Sequence, residues 1–183
     1  MSNTSNVSAG KPKIGGAIYR APLGTALPTD VDTALNEAFV CLGYVSDAGL
    51  VNANTATSTA IKAWGGDTVM DIQTDKPDTY QFTLLEVLDP NVLATVYGDD
   101  NVSGSLAAGI TVNANSKELE DCCWVVDMIM RNDAKKRIVI PSGKVTSVGN
   151  VTYSDSAAVG YDTTVSCHPD ASGNTHYEYI KAA

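Results

Sequence analysis

The run Asp78–Leu88 (DTYQFTLLEVL) sets the strongest constraint on the fold. Tyr80, Phe82 and Leu84 stand at alternate positions, with Thr79, Gln81 and Thr83 between them. A pleated strand turns such a run into one apolar and one polar face, whereas a helix would scatter the same residues around its circumference. The alternation recurs in Val69–Thr74, where Met70 and Ile72 are read as facing a core and Asp71, Gln73 and Asp75 as facing away. It recurs again in Cys122–Arg131, with Trp124, Val126, Met128 and Met130 as the core side and Asp127 and Arg131 on the other. Thr, Val, Ala, Asn and Gly dominate the remainder, and the strong helix formers are sparse. The chain is predicted to be mainly β.

At 183 residues it is long enough to bury a real core as a single domain, residues 1–183. Twenty-one acidic residues against twelve basic ones give a net charge of −9, and the only basic cluster, Lys135-Lys136-Arg137, lies beside Asp133. A protein that grips nucleic acid needs a basic stripe, so the charge argues against direct DNA binding and for a surface along which DNA can pass without sticking. The polar start MSNTSNVSAG has no apolar signal core, and no apolar run reaches the roughly 20 residues of a membrane helix. The expectation is a protein made in a cytoplasm, with no membrane partner.

One local signal contradicts the β pattern. Asp89 suits a helix N-cap, Pro90 the first turn, Val92, Leu93 and Val96 form one apolar face, and Gly98 suits the stop, predicting a short helix over about 89–97. Elsewhere the chain reads as strands and turns. Strands are expected at Ile14–Ala21, Phe39–Val45, Ala60–Trp64, Val69–Thr74, Ile110–Ala114, Cys122–Arg131, Lys136–Ile140, Lys144–Ser154, Gly160–His168 and Tyr177–Ile180. Trp64-Gly65-Gly66-Asp67, Asn132-Asp133, Pro141-Ser142-Gly143 and Gly173-Asn174 read as turns. Residues 1–13 are small and polar, an arm that would be flexible unless a neighbour holds it. Residues 46–59 read as a long loop of the kind that serves interaction, with Leu50 and Val51 as its only bulky apolar anchors.

The carboxylates invite an enzymatic reading that the chain does not support. Asp71 and Asp75 could pair for acid–base work, but no His, Arg or Lys is spaced to tune them, and a solvated sheet face explains them as well. Asp67 follows Gly65-Gly66 without the Gly-Lys-Ser/Thr of a phosphate loop. Cys167, His168 and His176 lack the paired-cysteine spacing of a zinc site, and Cys41, Cys122, Cys123 and Cys167 read as reduced, mostly buried thiols. No cofactor, metal site or catalytic set is expected, and both histidines are read as turn or surface residues.

Three blocks carry a resemblance: GKPKIGGAIYRAPLGTALPTD, IKAWGGDTVMDIQTDKPDTYQFTLLEVLDPNVLATVYGDDNV and HPDASGNTHYEYIKA. They are similar to the major tail tube proteins of long-tailed, non-contractile phages of Gram-positive, especially actinobacterial, hosts. The resemblance implies a β-sandwich or barrel-like protomer with one helix and no catalytic site. It also implies hexameric rings stacked into a tail tube in the virion, a lumen for the ejected genome, and tape-measure and tail-terminator proteins as partners. Asp71, Gln73, Asp75, Thr79, Gln81 and Thr83, presented at alternate positions by two neighbouring strands read as one side of one sheet, are expected to line that lumen, and Leu50 and Val51 to make inter-ring contacts. The alternative is a capsid-decorating or adhesin-like β-domain that binds a surface partner.

Overall fold

The computed structural model describes residues 2–183, so Met1 of the predicted arm lies outside the described residues. In chain order the elements are β1 (Lys11–Pro12), β2 (Ile18–Pro22), β3 (Val40–Cys41), β4 (Val51–Ala53), β5 (Thr57–Lys62), β6 (Thr68–Asp75) and β7 (Thr79–Leu84). They continue with α1 (Pro90–Tyr97), β8 (Val102–Ser105), β9 (Gly109–Val112), β10 (Cys122–Ile129), β11 (Lys135–Val148), β12 (Tyr161–Cys167) and β13 (Tyr177–Lys181). Nine strands form one antiparallel sheet in the order β3-β2-β10-β11-β12-β7-β4, with β1 added to β10 and β13 to β11. β5–β6 and β8–β9 are separate two-stranded ribbons. The fold is mainly β with one short helix, as composition and alternation predict.

The centre of the sheet is β10–β11, and both of its faces are covered. On one side Trp124, Val126, Ile138 and Ile140 pack with Tyr80, Phe82 and Leu84 of β7 and with Val92, Leu93 and Val96 of α1. On the other, Cys123, Val125 and Val139 pack with Ala21 and Phe39, flanked by Leu27, Leu35, Tyr177 and Tyr179. The helix sits where its caps predict: the Asn91 N–H donates to the Asp89 carboxylate at 2.8 Å, and Gly98 ends the helix at φ +98°.

Burial of both faces also encloses Asp127, which falls on the side of its strand read as facing away from the core. Asp127 stands directly across from Arg137 in the β10–β11 register, and both are nearly inaccessible. Arg137 Nε and Nη2 donate to the two carboxylate oxygens at 2.6 and 2.9 Å, while Nη1 donates to the carbonyls of Asp30 and Thr33. The guanidinium therefore pins the loop that covers the second face, and the adjoining carboxylate holds its pKa above the usual value.

Several strand expectations shift for local reasons. Gly15 and Gly16, at φ +88° and +125°, turn the chain and delay the first predicted strand to Ile18. Gly43, at φ +70°, interrupts Phe39–Val45, leaving Val40–Cys41 paired with β2 and Val45 in a single bridge to Leu84 of β7, while Phe39 and Leu42 remain buried. Pro141-Ser142-Gly143 is no turn but lies inside the continuous strand β11, which pairs with β13 through Lys135–Val139 and with β12 from Gly143 onward. The predicted tip at Asn132-Asp133 does join β10 to β11, both residues adopting left-handed backbone at φ 57° and 58°. The arm is not free of its own subunit: Lys11 and Pro12 pair with Ile129 and Met128, and the Arg131 N–H donates to Ser8 Oγ.

Substituting Asp127→Ala strands the buried Arg137 charge, which costs about 3–5 kcal/mol when one partner of such a pair is removed. Urea unfolding should show a loss of that size. A loss below about 1 kcal/mol would mean the guanidinium finds water or another acceptor.

Candidate functional site

The ribbon β5–β6 departs most from expectation. Every residue of both strands is exposed, and neither strand pairs with the nine-stranded sheet. Opposed pairs share a face, so the register Ile61↔Met70 and Thr59↔Ile72 gathers Ile61, Met70 and Ile72 on one side. The pairs Ala60↔Asp71 and Ser58↔Gln73 form the other side. Met70 and Ile72 thus face no core of their own chain, being 54% and 44% exposed, with Ile61 at 44% and Trp64 fully exposed at the tip. The turn itself is as predicted, Ala63 N–H donating to the Asp67 carbonyl and Gly66 N–H to the Ala63 carbonyl.

Asp71, Gln73 and Asp75 do not share a sheet with Thr79, Gln81 and Thr83, because β6 pairs only with β5 while β7 sits between β12 and β4. Asp71 and Gln73 lie on the polar face of the ribbon, and Asp75 lies at its root opposite Thr57. On β7, Gln81 is exposed and donates to both Asp162 carboxylate oxygens at 3.1 and 3.0 Å, while Thr79 and Thr83 are half-buried. The region 46–59 is less of a loop than predicted: β4 pairs with β7 through Val51↔Gln81, Asn52↔Tyr80 and Ala53↔Thr79. Leu50 is half-buried against the main core of its own chain, and Val51 is 54% exposed.

Sequence reading missed the cluster at the root of the ribbon. Asp78 is 3% exposed, and its carboxylate accepts from Asn52 Nδ2 at 2.8 Å, Thr175 Oγ1 at 2.5 Å and His176 Nδ1 at 2.5 Å. His176 is thus a largely buried partner, not a surface residue, with Tyr80 packed edge-on against its ring. Burial alone would raise the Asp78 pKa. The donors from Thr175, Asn52 and His176 outweigh it and hold the carboxyl below its ordinary value of 3.8. The carboxylate being ionised, His176 must carry its hydrogen on Nδ1. Nearby Cys167 is pushed up to about 12 by burial and the Asp78 charge, so its thiol stays protonated. Only the alternation of Asp78 with Tyr80 and Phe82 hinted at burial, and nothing in sequence linked it to residues 175 and 176.

A group with a lowered native pKa contributes stability that is complete above the ordinary value and is lost as pH falls through the native one. The urea midpoint of the native protein should therefore exceed that of Asp78→Asn by a constant margin from neutrality down to about pH 4, and the margin should close on further acidification. A margin that persists in strong acid would contradict the ionised state.

Among the described residues, no group of three or more His, Cys, Asp or Glu is arranged to hold a metal. What the geometry offers instead is surface: an acidic chain whose longest ribbon exposes an apolar stripe. Over residues 3–183 the chain matches the family model described as phage tail tube protein. No curated protein matches it. The match leaves the decoration or adhesin alternative without support. The chain belongs to the phage tail tube protein family, structural and not enzymatic, a component of the virion tail that self-assembles into a tube.

Proposed function

We propose that the chain forms hexameric rings stacked into the tube of a long, non-contractile tail, with the β5–β6 ribbon as the arm that joins copies. The observation that carries this reading is the exposed stripe of Ile61, Met70 and Ile72 on a ribbon with no partner in its own chain. A two-stranded ribbon is marginal by itself in water, and an exposed apolar patch rimmed by polar residues is characteristic of an interface. A second copy is the natural partner in a family that builds tubes.

In this reading the opposite face of the arm, with Asp71, Gln73 and Asp75, joins Thr79, Gln81 and Thr83 of β7 in facing the lumen. The net charge of −9 supports it, since a conduit for the genome must not hold phosphates. Leu50 and Val51, on the segment leading into the arm, contribute to the inter-ring contact. Tape-measure and tail-terminator proteins complete the tail, and the host is Gram-positive, of the actinobacterial group.

The triple substitution Ile61→Ser, Met70→Ser, Ile72→Ser tests the arm. These side chains touch no core, so the thermal midpoint of the soluble subunit should move little, on the order of 0.5 kcal/mol per site. Negative-stain microscopy should show subunits or short rings in place of long tubes, and tubes of normal length would refute the role of the stripe. Asp71→Lys with Asp75→Lys tests the lumen: the tubes should form and the genome should leave more slowly, in a salt-dependent manner. Ejection at the native rate would remove these two residues from the lumen.

A further inference from the structure

We propose that the tip of the β5–β6 ribbon is a knob whose socket lies on the body of the next copy, with Trp64 entering the apolar groove between the N-terminal arm and the segment that leads into β4. The pairing rests on the arm reading above and names where the arm lands. Trp64 stands fully exposed on the turn between β5 and β6, with Lys62 before it and Asp67 after it. Tryptophan is among the side chains most enriched at interface hot spots, and it contributes most when its ring fills a desolvated pocket.

The groove suits that side chain in size, lining and charge. Its volume is about 210 Å³, room for one large side chain and below the ~300–1,000 Å³ of a small-molecule site. Pro12, Ile18, Val45, Leu50, Val126 and Met128 line it, and Ile18 and Val126 belong to the core. The flexible Met128 lets the wall adjust to a ring. Leu50, expected as an anchor, is half-buried and forms a wall of this groove, so the exposed knob is Trp64. Lys11 stands at the groove on the arm and Asp47 on the facing segment, both exposed. Among the described residues Lys11, Asp47, Lys62 and Asp67 have no ion-pair partner. An entering tip can set Lys62 toward Asp47 and Asp67 toward Lys11, a match of sign that selects one orientation of the ribbon. A second apolar hollow, formed by Leu85, Val87, Leu88 and Leu106, carries Glu86 and Asp89 and no cation, and would set both carboxylates against Asp67.

Acrylamide quenching of tryptophan fluorescence reads the burial of Trp64 in the native chain, because the other tryptophan, Trp124, already lies in the core. The quenchable component of free subunits should fall about fivefold or more in assembled tubes. Trp64 still open to the quencher in tubes overturns the socket. Trp64→p-benzoylphenylalanine then maps the partner in tubes assembled from a mixture of isotopically light and heavy subunits. Photo-crosslinks should join the tip of one copy to Pro12, Leu50 or Met128 of another. Crosslinks between copies that land elsewhere on the body overturn the socket and leave the arm reading standing, whereas crosslinks confined to one copy overturn both. If the benzophenone variant does not assemble, the rim charges decide. Lys62→Glu and Asp47→Lys, both at exposed positions, should each slow elongation about threefold or more, and together they should restore it. Single variants that elongate at the native rate, or a double variant no faster than the singles, overturn the socket.

Discussion

The main sheet depends on the course of one strand, β11. Its first half lies between β10 and β13, and its second half pairs with β12, so Pro141-Ser142-Gly143 carries the sheet from one set of partners to the other, while a bridge between Val45, just after β3, and Leu84 of β7 joins the two ends a second time. Side chains of this strand and its neighbour shape the passage. The Trp124 indole donates to the Gly143 carbonyl at 2.9 Å, and a Cβ on Gly143 would lie 2.9–3.1 Å from Val165, Trp124 and Ile140. Glycine is required there by crowding, not by an unusual backbone angle. Cys123 Sγ meets the Pro141 carbonyl at 3.1 Å on the opposite face. The adjacent cysteines thus serve the two faces of one strand, small apolar residues whose thiols burial keeps protonated. Once β11 is held, β10, β12 and β13 follow by register, and β7 brings α1 onto the core.

Patterns that depend on neighbours along the chain were legible in the sequence. The Tyr80-Phe82-Leu84 alternation, the caps of α1 and the tips at Asn132-Asp133 and Gly173-Asn174 all express local geometry, and each appears where expected. Features that depend on which distant residue lies opposite were not. Asp127 is indistinguishable from a surface carboxylate until the register sets Arg137 across from it. His176 looks like a turn residue until the C-terminal segment meets Asp78. Pro-Ser-Gly has turn composition, and only the change of pairing partner explains a continuous strand through it.

The stripe of Met70 and Ile72 was misassigned for a different reason. Alternation tells that one face of a strand wants to be dry, and carries no information about which chain supplies the cover. The polar residues between them read the same way in either case, which is why Asp71 and Gln73 kept their face while the sheet they were assigned to proved to be two separate ones.

An apolar ribbon on a subunit that builds tubes faces a problem of symmetry. Two such ribbons could bury their stripes against each other about a two-fold axis, and that contact would close into a dimer with nothing left to propagate. A tube requires the unlike contact, ribbon of one copy against body of the next, repeated without closing on itself in the first pair. Loss of translational freedom opposes both contacts to a similar degree, so direction decides between them. An arm free to swing samples two-fold encounters and folds back on its own subunit. An arm held at one angle presents its stripe to one side only, and the entropy of aiming it has already been offset by the fold.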